Sequence, residues 1–421
     1  MSSLMPREDL VRVLTELLLT KDPTSLRFAF PGDSLGYMRI HVPEEFREAV
    51  AAIPEVKERE GHMLNHGSMA ATVQPGAIAE GLVHRAIQTS PADAVADLYR
   101  FFEQDYSRCV EVCLLRGISV KEQIELSNEI FLGPLAAVPS DSLQQFIARR
   151  SMGAAVIPGM TPVQVDEKRP PLEAALYRLK EVRPKWFRQP VNGEPLPFVQ
   201  DAISLTAVAN LLTLIGPSSP FIVSAYTELA DGELLKGRTG FSWNNPPEET
   251  RIVENVAVST EEIRDLLPTI RSYLALPERI EKQLQVPLHR LNEAVRHRNS
   301  VDRALDLGIA LESLLLSQQQ SKDQLSLQFR LRGAWLLGKD GNERTALYKQ
   351  LETLYTYRSL AAHSGAVEPS KTPAAEVEAT LKDGLRLCAS AIRRVIDSSG
   401  YPDWSRLLVG ADYTIDTEAA T

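Results

Sequence analysis

Cysteine is scarce: Cys109, Cys113 and Cys388 are the three in a chain of 421 residues. So small and odd a number builds no disulfide framework and points to a reducing compartment. Cys109 and Cys113 stand about one helical turn apart with no second pair to complete a zinc set, so they read as small buried apolar residues. Long apolar runs are lacking too. The longest, ISLTAVANLLTLI at 203–215, falls short of the roughly 20 residues that span a bilayer and contains Asn210, so it reads as a buried helix. A positive surplus is absent: the net charge is -9, which argues against broad coating of nucleic acid but leaves room for a small local site. The start, MSSLMPREDLVRVLTELLL, has no basic stretch leading into an apolar core and a cleavage site. It reads as an amphipathic helix from near Pro6, and a cytoplasmic protein without a membrane partner is expected. No phosphate-binding glycine loop, Ser-His-Asp set or cysteine nucleophile stands out.

What is present is ordinary globular material, 44% hydrophobic and 24% charged, enough for two or three domains. Residues 1–155 read as a mixed α/β domain. Short alternating segments at 26–30 and 37–42, joined by Pro31-Gly32-Asp33, suggest a hairpin. The pattern at 77–116 and at 120–130 is helical. Residues 156–258 read as a Pro-rich linker and loop-rich middle region with one helix at 172–182, the buried helix at 203–215 and a strand at 221–226. Residues 259–400 are helical, with a core at 287–400, and 401–421 read as a tail that frays after Asp412. The expected class is mainly α with minor β: an α+β N-terminal region followed by an all-α bundle.

Two helices carry opposite charges on apolar faces. In VDRALDLGIALESLLLS (301–317), Asp302, Arg303, Asp306, Ser313 and Ser317 share one arc, while Glu312 falls between Val301 and Leu305 on the greasy side. In ERTALYKQLETLYTYRSLAAH (343–363), Leu347, Leu351 and Leu354 form a stripe that Arg358 continues inward. A buried carboxylate and a buried guanidinium are each costly alone, so Glu312 and Arg358 are expected to meet. His363, five residues on, lies round the cylinder nearer Glu352 and Ser359. Arg358 and His363 can serve one site only if the helix ends or bends near 361–365, or if a second subunit completes the cleft. Gly365 and Pro369 signal that helix end.

Three pairs fit a loose Arg–x(4–6)–His pattern: Arg59/His66, Arg290/His297 and Arg358/His363. Context selects the last. PLHRLNEAVRHRNSVDRALDLGIALESLLL, LRGAWLLG and LYTYRSLAAHSG resemble the Apea-like branch of the HEPN superfamily, over residues 287–400. Tyr357-Arg358-Ser359 through His363 and Gly365, with Asp306 and Ala310-Leu311-Glu312 upstream, carry the likeness. Ser359 stands where strongly ribonucleolytic members often have Asn, Asp or His. The resemblance implies a helical domain that cuts RNA without a metal or other cofactor, leaving a 2′,3′-cyclic phosphate. Arg358 and His363 would be catalytic, with Glu312, Ser359, Asp306 and Tyr357 supporting them. It further implies a homodimer or larger homo-oligomer acting as an RNA-cleaving toxin in bacterial anti-phage defence. The N-terminal region would then sense a phage-derived or protein trigger. The alternative is a catalytically inactive HEPN interaction or dimerisation protein.

Other clusters have plainer readings. Arg290, Arg296, His297 and Arg298 form either a solvated basic face or an RNA-backbone contact. Lys185, Trp186 and Phe187 could stack bases, but a packing anchor is the commoner role. His62 and His66 read as loop or surface residues.

Overall fold

Proline and small polar residues set the N-terminal helices: Pro75 and Pro91 each open one, and Ser90 accepts from Asp93 N. The structure, a computed structural model, describes residues 7–20, 27–28, 39–40, 42–67, 70–127, 129–140, 172–188, 205–236, 242–244, 255–316, 324–367 and 372–415. In chain order these form α1 (Arg7–Thr20), β1 (Arg27–Phe28), β2 (Arg39–Ile40), α2 (Glu44–Ala51), α3 (Pro54–Glu58), β3 (His62–Asn65), β4 (Ala70–Thr72), α4 (Pro75–Gln88) and α5 (Pro91–Glu103). The sheet region holds β5 (Ser107–Arg116), β6 (Ile118–Ser119), β7 (Ile124–Ser127), β8 (Ile130–Gly133), β9 (Ala174–Val182), β10 (Trp186–Arg188), α6 (Leu205–Leu211), β11 (Phe221–Leu229), β12 (Ser242–Asn244) and β13 (Val256–Ala257). The helical region holds α7 (Thr260–Leu274), α8 (Glu278–Arg296), α9 (Ser300–Leu315), α10 (Leu325–Leu337), α11 (Gly341–Ser364), α12 (Ala374–Asp397) and α13 (Trp404–Leu408). The protein is mainly α with minor β, its sheets in the N-terminal region and its C-terminal part helical.

A six-stranded antiparallel sheet, ordered β12-β11-β5-β9-β8-β7, organises the N-terminal region. Its middle overturns three expectations. Residues 107–116 form β5, not the end of a helix; 120–130 span β7 and the start of β8; and 172–182 form β9, not a linker helix. The cause is burial on both faces. Cys109, Val110, Val112, Cys113, Leu114 and Leu115 are all buried, as are Ala174 through Tyr177. A strand covered on both sides loses its alternation and reads like a buried helix. The two N-terminal cysteines are buried as expected, but on a strand.

One apolar core runs through the expected boundaries. Cys113, Leu115 and Leu176 of the sheet share it with Leu212 and with Leu284, Leu288 and Leu291 of α8. The 156–258 segment is thus no mere linker, since its β9 pairs with β5 and β8. The N-terminal helices form a second core with Cys109, Val182 and Leu229. The hairpin β1–β2 forms, though its Pro31-Gly32-Asp33 turn lies outside the described residues. The tail also needs correcting. Tyr401, Trp404 and Leu407 are buried, and Tyr413 donates to Gly400 O at 2.7 Å.

Capping residues start the C-terminal helices. Ser259 and Glu262 make a capping box, and Asn299 and Asp340 accept from the first turns of α9 and α11. α9 sits among α8, α10, α11 and α12.

Candidate functional site

The apolar stripe of α11 buries Leu351, Leu354, Tyr357 and Ala361, and Arg358 lies beside it. Arg358 Nη2 donates to Glu312 Oε2 of α9 at 2.8 Å, so the two apolar faces exchange their stray charges. The pair is half-buried: the side chains keep 30% and 23% of their exposure. Burial holds the Glu312 carboxyl above the usual carboxylate range, against the pull of Arg358. Arg358 Nε is covered and has no partner among the described residues. Only the outer guanidinium nitrogens could therefore reach a ligand.

A residue that the sequence pattern did not single out makes this crossing. Gly308, one turn before Glu312, faces the Arg358 stem; an added Cβ would lie 2.2 Å from Arg358 Cγ. The available signal was a glycine inside a strongly periodic helix, which marks close packing more often than flexibility.

His363 occupies the last turn of α11, and Gly365 closes the helix in the left-handed conformation at φ 65°. His363 is exposed, on the side of Glu352 and Thr356, which are exposed as well; Ser359 is intermediate. No hydrogen bond joins His363 to Arg358 or Glu312 among the described residues. Within one chain, then, Arg358 meets Glu312 while His363 faces solvent. An exposed imidazole is open to a bound substrate, and a guanidinium fork can hold phosphate oxygens.

The other expected residues divide. Tyr357 is buried in the bundle core. Asp306 does not join Glu312; its carboxylate accepts from Arg290 Nη1 at 2.8 Å and meets His297 Nε2 at 2.6 Å. The Arg290/His297 match to the loose pattern therefore closes on one carboxylate and ties α8 to α9. The expected basic face breaks up. Arg296 is inside a polar cluster with Asn292 (2.5 Å), Ser219 (3.2 Å) and Glu293 (2.9 Å), and stacks over Phe221. His297 is buried, while Arg298 is exposed and Arg290 keeps 41% of its side-chain exposure.

In the N-terminal region Trp186 stacks on Phe102 and meets Phe101 edge-on, and Lys185 is buried, so this cluster anchors packing. His62 lies on β3 and His66 just beyond it is fully buried, which corrects the surface reading of His66. No helix among the described residues is long and apolar enough to cross a membrane. Comparison with family models, with curated proteins and with solved structures found no match.

Proposed function

We propose that the chain is a HEPN-type endoribonuclease whose cleft is completed by a second copy of the helical region. One observation carries this reading: a guanidinium held at the α9–α11 crossing by Glu312, with an exposed histidine closing the same helix five residues later. RNA supplies its own nucleophile, the 2′-hydroxyl, so the protein has only to move protons and stabilise charge on phosphorus. His363 would take the 2′-hydroxyl proton or protonate the leaving 5′-oxygen. Arg358 would hold the phosphate oxygens through its outer nitrogens as negative charge builds. Two copies meeting at their α11 ends would supply two His363 side chains, one for each proton transfer. The products are a 2′,3′-cyclic phosphate and a 5′-hydroxyl. An RNA-cleaving toxin of anti-phage defence, restrained or triggered by the N-terminal region, is the biological role this chemistry suits.

A second reading is favoured by the way Arg358 is tied to Glu312 and fitted over Gly308: the helical region is an interaction module and the pair is structural. Incubation of the purified protein with varied RNAs, beside His363→Ala, separates the two. Cleavage to cyclic-phosphate ends that His363→Ala abolishes supports the nuclease. Equal inertness of both proteins, with equal lack of toxicity on expression, sinks it. Sedimentation of the wild type tests the shared cleft, which requires a dimer or larger assembly.

A further inference from the structure

We propose that a cleft in the helical region, away from Arg358, binds a phosphate-bearing small molecule of mononucleotide size. The cleft has a volume of about 600 Å³ and is lined by the ends of α10 and α12, the start of α11, α13 and the segment that follows it. Such a volume lies within the range of about 300–1,000 Å³ typical of small-molecule sites.

Its wall is charged. Lys339, Arg344, Arg393 and Arg394 line it, against two carboxylates, Asp397 and Asp412. This local positive excess stands out in a chain whose net charge is -9. An apolar ligand would gain little there, whereas a phosphate oxyanion would gain several charge-assisted bonds.

Arg344 and Arg393 are bonded to protein acceptors, and Arg394 rests on an aromatic ring. Arg344 lies 3.7 Å from the Trp335 ring centroid and donates from Nε to Gly338 O at 3.1 Å. Arg393 donates from Nη2 to the Asp265 carboxylate at 2.9 Å. Arg394 stands over Tyr413, 5.1 Å from its centroid, and Tyr413 is itself fixed to Gly400 O. Neither Lys339 nor Arg394 has a carboxylate partner among the described residues, and both are exposed. Two cations are therefore available, two more are fixed nearby, and two aromatic rings complete the wall. The guanidinium fork and the ammonium suit a phosphate group, and the remaining volume suits the sugar and base of a nucleotide.

The proposal does not rest on the ribonuclease reading. Its test is calorimetric titration of the full chain with ATP, adenosine, inorganic phosphate and a short single-stranded RNA. ATP should bind with a submillimolar Kd, with adenosine and inorganic phosphate each roughly tenfold weaker or worse. The double variant Lys339→Glu/Arg394→Glu should weaken ATP by at least about tenfold, while His363→Ala leaves ATP binding unchanged whatever the cleavage assay shows. If charge reversal lowers the melting temperature, Lys339→Gln/Arg394→Gln takes its place, with the same direction and a smaller loss. No binding of ATP, equal binding by the double variant, phosphate binding as tightly as ATP, or binding of the RNA alone would each overturn the proposal.

Discussion

Arg358 lies across Gly308. A β-carbon at 308 would stand 2.2 Å from Arg358 Cγ and 2.7 Å from its Cβ, so α9 and α11 reach their observed separation only because position 308 has no side chain. Gly308→Ala must push the helices apart or displace Arg358 from Glu312. Such overpacking should cost about 1–3 kcal/mol. Urea melts measure it, and the double variant with Arg358→Ala should lose less than the sum of the two single changes. A Gly308→Ala protein that melts like wild type would show that the crossing has room for a methyl group.

Removing Arg358 leaves the Glu312 carboxylate half-buried without its cation. Because both side chains keep some exposure, Arg358→Ala should cost about 1–3 kcal/mol, below the 3–5 of a fully buried pair. The pH sign follows from Glu312. Its folded pKa is already raised by burial, and loss of Arg358 raises it further. A raised carboxyl contributes most at low pH and loses that contribution as pH climbs through its folded pKa. The gap between variant and wild type should therefore be larger at pH 7 than at pH 4. A gap that widens on acidification would contradict the pairing.

His363 is exposed. His363→Ala should change stability by no more than about 0.5 kcal/mol. Under the nuclease reading the same change should lower cleavage by about 10²–10⁴-fold. Melting curves and a cleavage time course on one preparation check both halves.

Lys185 is 1% exposed; its Nζ donates to Phe101 O at 2.5 Å and sits 3.9 Å from that ring's centroid. Burial lowers its pKa from 10.5 to about 8, against the opposing pull of Glu233 and Asp105. Between those two values the unfolded chain binds more protons than the folded one, so stability rises with pH. Relative to Lys185→Met, the wild type should gain up to about 3 kcal/mol across that window. Paired urea titrations at its two ends decide it. No change in the difference would mean that Lys185 keeps its proton throughout.

The helical character of the C-terminal region is legible in the amino-acid sequence, since from Ser259 onward a 3.6-residue apolar stripe recurs along it. Glu312 and Arg358 are legible because each breaks such a stripe, and opposite charges on apolar faces have few ways to be satisfied. β5 and β9 are not. Most of their residues are buried on both faces, and the partners that make them strands lie far apart in the chain, as in the register of Glu111 against Arg178 and Thr227. Periodicity reports which face meets water, and over most of their length these strands have no such face.

The amino-acid pattern alone carries the helical C-terminal region, the helix end beside His363 and the need of Glu312 for a cation. That Asp306 serves Arg290 and His297, and that Gly308 makes room for Arg358, follows from how the helices pack. Tertiary packing alone joins Lys339, Arg344, Arg393 and Arg394 around one cleft. A helical pattern fixes which residues share a face of one element. Which face of another element they meet depends on how the helices pack, and that is set by the shape and volume of side chains distant in sequence.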